Sequence, residues 1–249
     1  TRIILIAGPS SSGKTTFAKR LCIHLRANGI RPVSLSLDDY FLSREKTPKD
    51  EHGDYDFEHL EALDIPLLNK DLKDMMAGRS VEIPTFDFKT GQRLYLGKRI
   101  RLDDDQILII EGIHGLNDRL TESIPSRQKF KIYVSALTQL NIDTHNRIPT
   151  TDLRLIRRMV RDYHYRGYSA QETFSRWPKV RGGEEKWIFP FQENADIMFN
   201  SSLIYEFAVL KRKAEPILKM VPKTEEIYCE ARRLLKFLGY LLDISDSEV

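Results

Sequence analysis

The chain has 249 residues, of which 41% are hydrophobic and 30% are charged, and its formal net charge is +3. This length is enough to bury one substantial core, and so small a net charge does not by itself indicate nucleic acid as a partner. The longest apolar runs are far too short to span a bilayer, and no signal-peptide pattern precedes them, so no membrane association is expected. The two cysteines, Cys22 and Cys229, lack the spacing of a metal site, which fits a reducing cytoplasm.

Strand-like and helix-like segments alternate along the chain. Short apolar runs rich in β-branched residues predict buried strands, and apolar residues at helical spacing predict helices between them. Such alternation is typical of an α/β fold with a parallel sheet and right-handed crossovers. The predicted elements are, in chain order, a strand at 3–7, a helix at 14–28, a strand at 31–37, a helix at 57–76, strands at 107–110 and 131–134, a basic helix at 152–165, and amphipathic helices at 203–220 and 224–242.

Residues 81–102 break this alternation. Pro84, Gly91 and Gly97 punctuate short alternating segments there, which predicts a small antiparallel hairpin inserted into the fold. No repeat, low-complexity segment or linker divides the chain. We therefore expect one domain over residues 1–249, with the hairpin at 81–102, a basic lid at 154–187 and helices at 203–242. The first residue, Thr1, stands two residues before a strand, which suggests either a domain cut from a longer polypeptide or a chain trimmed at its start.

The stretch GPSSSGKT, residues 8–15, matches the pattern GxxxxGK[ST] in full and lies between a predicted strand and a predicted helix. In this phosphate loop, backbone N–H groups turn inward around phosphates and the helix N-terminus adds its positive end. A serine-rich turn before a helix is the structural alternative. The residues expected to bind the nucleotide are Gly8, Pro9, Ser10, Ser11, Ser12, Gly13, Lys14, Thr15 and Thr16, with Lys14 on the β- and γ-phosphates and the Thr15 hydroxyl on Mg²⁺.

Acidic residues follow two of the predicted strands. Asp38 and Asp39 come after the second strand, and Glu111 comes after the run ILII. Because ligands in open parallel sheets bind beyond the carboxyl ends of the strands, these acids are expected near the phosphate loop. Glu111 is a candidate for holding Mg²⁺, directly or through its ligands, and Asp38 for general base or for orienting an acceptor hydroxyl. A solvent-exposed strand end and an acidic turn are the respective alternatives.

Seven segments recur in a characteristic order over about residues 3–200: GPSSSGKTT, LSLDDYF, DFEHLEALD, IPTFDF, IIEGI, RLIRRMVRDYHYRG and ADI. Their order and rough spacing resemble those of the uridine kinase and phosphoribulokinase family of P-loop kinases, with uridine kinase as the nearer branch. The resemblance implies a nucleotide-kinase-like sheet, ATP with Mg²⁺, and phosphoryl transfer to a sugar hydroxyl.

The resemblance also implies an acceptor site. Asp38 matches the family's catalytic aspartate, Glu61 stands where an aspartate usually holds ribose hydroxyls, and Phe86 and Asp87 match a Tyr-Asp pair beside the nucleoside. Tyr40 is assigned to the same acceptor site. Three positions differ from uridine kinases: glycine replaces a base-reading histidine, tyrosine replaces a lid arginine, and arginine replaces a glutamine. These positions are Gly91, Tyr168 and Arg176, and Arg176 is counted among the acceptor residues as a contact for negative charge.

Arginines crowd the segment that begins at residue 154. A closing lid would bring guanidinium groups onto the charge that develops during phosphoryl transfer. By resemblance, Arg158 contacts acceptor or phosphate, and Arg161 and Arg166 are catalytic lid arginines. Tyrosines nearby also fit a nucleic-acid surface, but the kinase reading already explains the same arginines and is favoured. Arg154 and Arg157 are expected on a solvated helix face.

The sequence thus predicts an ATP- and Mg²⁺-dependent kinase of a small molecule, with a nucleoside as the favoured acceptor. A kinase of another sugar or polyol, and a regulatory ATP-binding module with little turnover, are the alternatives. The presence together of Lys14, Thr15, Asp38 and Glu111 favours an active enzyme. The two terminal helices either pack on the sheet or form the surface of a homo-oligomer, and the sequence leaves both open.

Overall fold

Strands and helices alternate in this computed structural model, which describes residues 1–245 and residue 247. The strands are β1 (Ile3–Ala7), β2 (Arg31–Ser36), β3 (Val81–Glu82), β4 (Thr85–Asp87), β5 (Gln92–Leu94), β6 (Arg99–Ile100), β7 (Gln106–Glu111), β8 (Lys129–Ser135) and β9 (Ile197–Asn200). The α-helices are α1 (Lys14–Ala27), α2 (Ile65–Met76), α3 (Thr150–Arg161), α4 (Ala170–Trp187), α5 (Glu206–Lys219) and α6 (Tyr228–Leu238).

Five strands form the main sheet in the order β2-β7-β1-β8-β9. β1 pairs in parallel with both β7 and β8, and β2 pairs in parallel with β7. Parallel strands of one sheet need crossover connections, and α1 supplies the one from β1 to β2. The predicted α/β fold with a parallel sheet flanked by helices is confirmed.

Alternate side chains of β1 point into two different cores. Ile3 and Leu5 belong to a cluster that includes α2, and Ile4 and Ile6 belong to a cluster that includes α1. Because successive side chains of a strand point to opposite faces, a strand covered by helices on both faces must be apolar throughout. The sequence of β1, IILIA, is therefore the signature of a central strand.

The helix predicted at 57–76 begins later than expected. α2 starts at Ile65, and only a short 3-10 turn, Leu60–Ala62, precedes it. The Asp64 carboxylate accepts a hydrogen bond from the backbone N–H of Leu67 (3.0 Å), and a proline stands in the first turn. These are strong helix-start signals, so residues 57–64 form a loop with one turn and the longer helix was wrong.

The inserted segment at residues 81–102 consists of two short antiparallel ladders. β3 pairs with β6, and β4 pairs with β5 inside that outer pair. The predicted small hairpin insertion is confirmed.

The contacts of the chain group into two units. The first contains Thr1–Pro9, Gly13–Val134 and Gly183–Phe199, and thus most of the sheet, α1, α2 and the inserted hairpin. The second contains Ser10–Ser12 of the phosphate loop, Ser135–Gly182 and the described residues from Asn200 on. This division rests on contacts within the chain and is not a test of independent folding. The single kinase domain therefore stays a prediction.

The core of the second unit is helical. It is formed by buried side chains of α3, α5 and α6, among them Leu153, Ile156, Phe207, Ile217 and Leu234. Both terminal helices therefore pack in this core, within shorter bounds than the predicted 203–220 and 224–242. No helix of the described residues is both long enough and apolar enough to cross a membrane.

Candidate active site

The phosphate loop follows β1 directly and ends at the first turn of α1. Gly13 caps the helix with φ of 90°, a left-handed conformation that glycine adopts without strain. The Lys14 amine donates hydrogen bonds to the carbonyl oxygens of Gly8 (2.9 Å) and Pro9 (3.0 Å). The hydroxyls of Ser11 and Ser12 are buried without a hydrogen-bond partner. Buried hydroxyls without partners beside a helix N-terminus fit a phosphate, whose oxygens would satisfy them.

A carboxylate and two hydroxyls meet at the carboxyl ends of β2 and β7. Ser36 and Glu111 are directly paired across these strands, and the Glu111 carboxylate accepts hydrogen bonds from the hydroxyls of Ser36 (3.1 Å) and Thr15 (3.2 Å). Burial raises the pKa of Glu111, as does the charge of Asp38, while Lys14 and the two hydroxyls lower it. Parallel pairing therefore brings Thr15 and Glu111 together, as the sequence suggested.

This corner fits a partial magnesium site. Mg²⁺ prefers oxygen ligands and is usually held by one or two carboxylates together with phosphate oxygens and water. Thr15 and Glu111 supply such oxygens beside the phosphate loop. Within the described ranges 1–245 and 247, no group of three or more His, Cys, Asp or Glu side chains could hold a metal by itself. The donor set thus suits a metal that arrives with a nucleotide.

Asp38 lies in the 3-10 turn Leu37–Tyr40, immediately after β2. Its side chain is half-buried, and it is close enough to Glu111 to raise the pKa of that carboxyl group. The Asp38 carboxylate accepts no hydrogen bond from the part of the chain that the structure describes. Its acceptor capacity is therefore available to a ligand.

Two of the residues assigned to the acceptor occupy very different surroundings. Glu61 is exposed, with 59% of its side chain accessible, and forms an ion pair with Arg119 (3.4 Å). Tyr40 is completely buried, and its hydroxyl donates to Asp71 (3.0 Å). Burial and the Asp71 charge raise the pKa of Tyr40. Tyr40 has no accessible surface in this structure and is part of the core, and its assignment to acceptor binding stays a prediction.

Phe86 and Asp87 lie on β4 of the inserted hairpin. Phe86 is 7% exposed and contacts the rings of Phe41 (5.5 Å between centroids) and Phe88 (5.1 Å). The Asp87 carboxylate accepts hydrogen bonds from the backbone N–H of Lys89 and the hydroxyl of Thr90 (both 2.9 Å), which lower its pKa. Asp87 therefore shapes the hairpin turn, and only a small part of Phe86 reaches the surface.

Gly91 has a backbone reason to be glycine. Its φ is 71°, and its N–H donates to the Asp87 carbonyl (2.7 Å) to close the hairpin turn. A Cβ atom at this position would come within 2.8 Å of Nε of Arg44. The exposed guanidinium group of Arg44 therefore occupies the space that a side chain at residue 91 would need.

Arg154 and Arg157 are not on a solvated helix face, and that prediction was wrong. Arg154 is 2% exposed and donates from Nε to the Ser10 carbonyl (3.0 Å). Arg157 donates from Nε and Nη2 to the two carboxylate oxygens of Glu206 (2.5 and 2.6 Å). Both guanidinium groups thus form hydrogen bonds within the second unit.

The three arginines expected to contact phosphate or acceptor converge on one buried carboxylate, Asp162. Arg161 donates to its Oδ1 from Nε (2.9 Å) and Nη2 (2.7 Å), Arg166 lies 3.7 Å from the same oxygen, and Arg158 lies 3.3 Å from Oδ2. Arg158 also donates to the Ser10 hydroxyl (2.7 Å). Arg158, Arg161 and Arg166 are thus gathered around one carboxylate.

Two of the positions that differ from uridine kinases contact each other. The guanidinium carbon of Arg176 lies 4.1 Å from the centre of the Tyr168 ring, a cation–π arrangement. Arg176 is thus held by Tyr168 in this structure, and its role toward an acceptor stays a prediction.

Sequence reasoning missed Ser36, Asp162 and Ser201. Ser36 lies at the end of the second strand, two residues before Asp38, so a search for polar strand ends would have found it. Asp162 stands directly after Arg161, where an acid among arginines is a signal for ion pairing. Ser201 directly follows the edge strand β9, and no local pattern marks it.

The comparisons with known proteins agree with this geometry. Residues 3–204 match the model of the Phosphoribulokinase / Uridine kinase family. A uridine kinase of Staphylococcus aureus is 31% identical over 199 residues, which cover 80% of this chain and 86% of that protein. A uridine kinase of Ureaplasma parvum is 28% identical over 196 residues, covering 78% of this chain and 86% of that protein.

Solved structures share the fold at low sequence identity. A possible uridine kinase from Bacillus stearothermophilus superposes with a TM-score of 0.52 and 21% identity, over 80% of this chain and 88% of that one. Phosphoribulokinase from Rhodobacter spheroides gives a TM-score of 0.51 and 18% identity, over 80% of this chain and 70% of that one. These similarities establish the P-loop kinase fold.

Proposed function

Because the chain belongs to the phosphoribulokinase and uridine kinase family, we propose that it transfers the γ-phosphoryl group of ATP, with Mg²⁺, to a hydroxyl group of a nucleoside such as uridine or cytidine. The general class, an ATP-dependent kinase with a hydroxyl acceptor, follows from the family and from the uridine kinases among its relatives. The nucleoside, the metal and the residue roles are the proposal.

One observation carries the proposal: the Asp38 carboxylate, without hydrogen bonds from the described residues, lies at the same edge of the sheet as the Thr15 and Glu111 corner. A kinase needs a proton acceptor and a metal site on opposite sides of one transferring phosphoryl group. A protein that only binds ATP needs no proton acceptor. The presence of Asp38 beside the Thr15 and Glu111 corner therefore supports catalysis over a regulatory module.

In the proposed reaction, the acceptor hydroxyl gives its proton to the Asp38 carboxylate while its oxygen bonds to the γ-phosphorus. The bond from that phosphorus to the β–γ bridging oxygen breaks, and ADP leaves. Lys14 and the loop N–H groups stabilise the charge on the phosphates, and Arg161 and Arg166 stabilise the charge that builds up during transfer. Glu61 binds vicinal hydroxyls of the acceptor.

Thr15 and Glu111 would hold Mg²⁺, which would neutralise part of the negative charge of the nucleotide phosphates. The hydroxyl of Ser36 donates to the same carboxylate oxygen of Glu111 as the Thr15 hydroxyl does and helps to orient that carboxylate. Because the pKa of Glu111 is raised, mainly by burial, its loss of a proton is coupled to the arrival of a cation.

The experiment is a coupled assay of ADP release with uridine, 2′-deoxyuridine, cytidine, ribose and phosphorylated sugars side by side. We expect the highest kcat/KM for a ribonucleoside and a lower value for its 2′-deoxy form, because Glu61 would lose one of the two hydroxyls. ADP release that no acceptor stimulates would contradict the proposal and favour a regulatory module.

A kinase of an acceptor that carries negative charge is the second candidate, and Arg44 favours it. Its exposed guanidinium group lies where a side chain of residue 91 would stand, and it makes no hydrogen bond or ion pair with residues 1–245 and 247. An arginine there suits a phosphate or carboxylate better than an uncharged base. In the same assay, a phosphorylated sugar would then outperform uridine, and Arg44→Gln would remove that preference.

A further inference from the structure

Three consecutive carbonyl oxygens of the phosphate loop each accept a hydrogen bond from a side chain of the second unit. Arg154 Nε donates to the Ser10 carbonyl (3.0 Å), and Arg157 Nη1 donates to the Ser11 carbonyl (3.3 Å). The Ser201 hydroxyl donates to the Ser12 carbonyl. The donors come from two separate segments, α3 and the residues after β9, so the set is not a local turn.

Hydrogen bonds to these carbonyls determine where the loop N–H groups point. A peptide bond is planar and trans, so the C=O of one residue and the N–H of the next point in opposite directions. Fixing the carbonyls of Ser10, Ser11 and Ser12 therefore fixes the N–H groups of Ser11, Ser12 and Gly13. An arginine on a carbonyl also polarises the peptide unit, which strengthens its N–H as a donor.

The two arginines are themselves held tightly. Arg154 is almost completely buried, with its guanidinium carbon 5.4 Å from the centre of the Trp177 ring. Arg157 is bonded twice to Glu206 and donates to the Ser201 carbonyl (3.0 Å). Side chains with so few alternative positions can impose a conformation on a loop rather than adapt to it.

We propose that Arg154, Arg157 and Ser201 are positioning residues that aim the phosphate-binding N–H groups of the loop by holding its carbonyls from behind. They act on the triphosphate through the backbone and do not touch it. This inference rests on the proposed use of ATP, and it gives a function to the buried Arg154 and the half-buried Arg157.

The test compares ligands that do and do not use the loop. Ser201→Ala removes one neutral donor and Arg154→Met removes one charged donor of similar length, while Arg147→Met is the matched control. Arg147 also donates two hydrogen bonds to a carbonyl of the second unit, that of Thr138, outside the loop. Binding of ADP and tripolyphosphate is measured by calorimetry, and that of adenosine by NMR titration.

We expect Ser201→Ala to weaken ADP and tripolyphosphate about two- to tenfold, and Arg154→Met about ten- to a hundredfold. Adenosine binding should change in neither variant, Ser201→Thr should restore the affinity, and Arg147→Met should match the wild type. Equal losses for adenosine and tripolyphosphate would indicate a general disturbance and overturn the inference, as would unchanged affinities. A wild-type protein that binds neither ADP nor tripolyphosphate would instead contradict the proposed function itself.

Discussion

Replacement of Asp38 by asparagine separates its two candidate roles, proton acceptor and metal ligand. The amide has nearly the same shape, and no hydrogen bond from the described residues to the carboxylate is broken. The side chain is half-buried in a short turn, so no buried ion pair is lost either. We therefore expect Asp38→Asn to fold with the stability of the wild type.

The expected effect lies in the chemical step. An amide cannot accept the proton of the acceptor hydroxyl, and general-base catalysis contributes about a hundred- to ten-thousandfold. This corresponds to about 2.7 to 5.4 kcal/mol in the activation barrier. Since the charge of Asp38 also raises the pKa of Glu111, the variant should lower that pKa.

Steady-state kinetics and calorimetry with Mg²⁺ and ATP measure the two effects separately. Asp39→Asn is the matched control, because it removes the neighbouring carboxylate, whose pKa burial raises, without touching Asp38. We expect kcat to fall in Asp38→Asn alone, with ATP affinity unchanged. A collapse of ATP affinity with kcat preserved would refute the reasoning and assign Asp38 to the metal.

Three further predictions concern Lys14, Glu111 and Arg161. Lys14→Ala should lower turnover about a hundred- to a thousandfold, because it removes a charge aimed at the phosphates; near-normal turnover in the coupled assay would exclude the phosphate loop from the mechanism. Glu111→Gln should abolish the Mg²⁺ dependence of ATP binding yet raise the melting temperature of the nucleotide-free protein at pH 8. The pKa of Glu111 is raised mainly by burial, so its ionised form opposes folding. The stability of the wild type therefore decreases as the pH rises through that pKa. At acid pH, the difference in melting temperature between variant and wild type should vanish. Arg161→Ala should depress kcat more than ATP affinity, because its contacts develop fully in the transition state; a loss of RNA binding with turnover intact would favour the nucleic-acid alternative.

The parallel sheet and the phosphate loop could be predicted because both are encoded locally. An apolar run such as that of β1 can be recognised within five residues, and the loop pattern adjoins it. The Thr15 and Glu111 corner followed from the rule that ligands bind beyond the carboxyl ends of parallel strands. The late start of α2 is also encoded locally, by Asp64 and the proline after it, whereas the helical spacing of the residues before them predicts a longer helix.

The surroundings of Arg154 and Tyr40 could not be predicted from the sequence. Arg154 is 144 residues from the carbonyl that it binds, and a backbone acceptor leaves no trace in the sequence. A helix with many arginines is usually solvated, so composition favoured the wrong environment. Tyr40 lies beside two acids at a strand end, and only the packing of the turn Leu37–Tyr40 shows that its hydroxyl points inward to Asp71.

The segment after α3, Asp162–Arg166, is a single turn of π-helix. Residues five apart lie about 140° from each other around an α-helix, whereas the wider π turn brings them toward the same face. That is why Arg161 and Arg166 both approach one oxygen of Asp162. The direction of the Arg166 side chain is set by the number of residues in this turn. The identity of the exposed residues Tyr163 and Tyr165 matters less. Removal of one residue would restore ordinary helical winding and turn that guanidinium group away, so insertions and deletions here should cost more turnover than substitutions do.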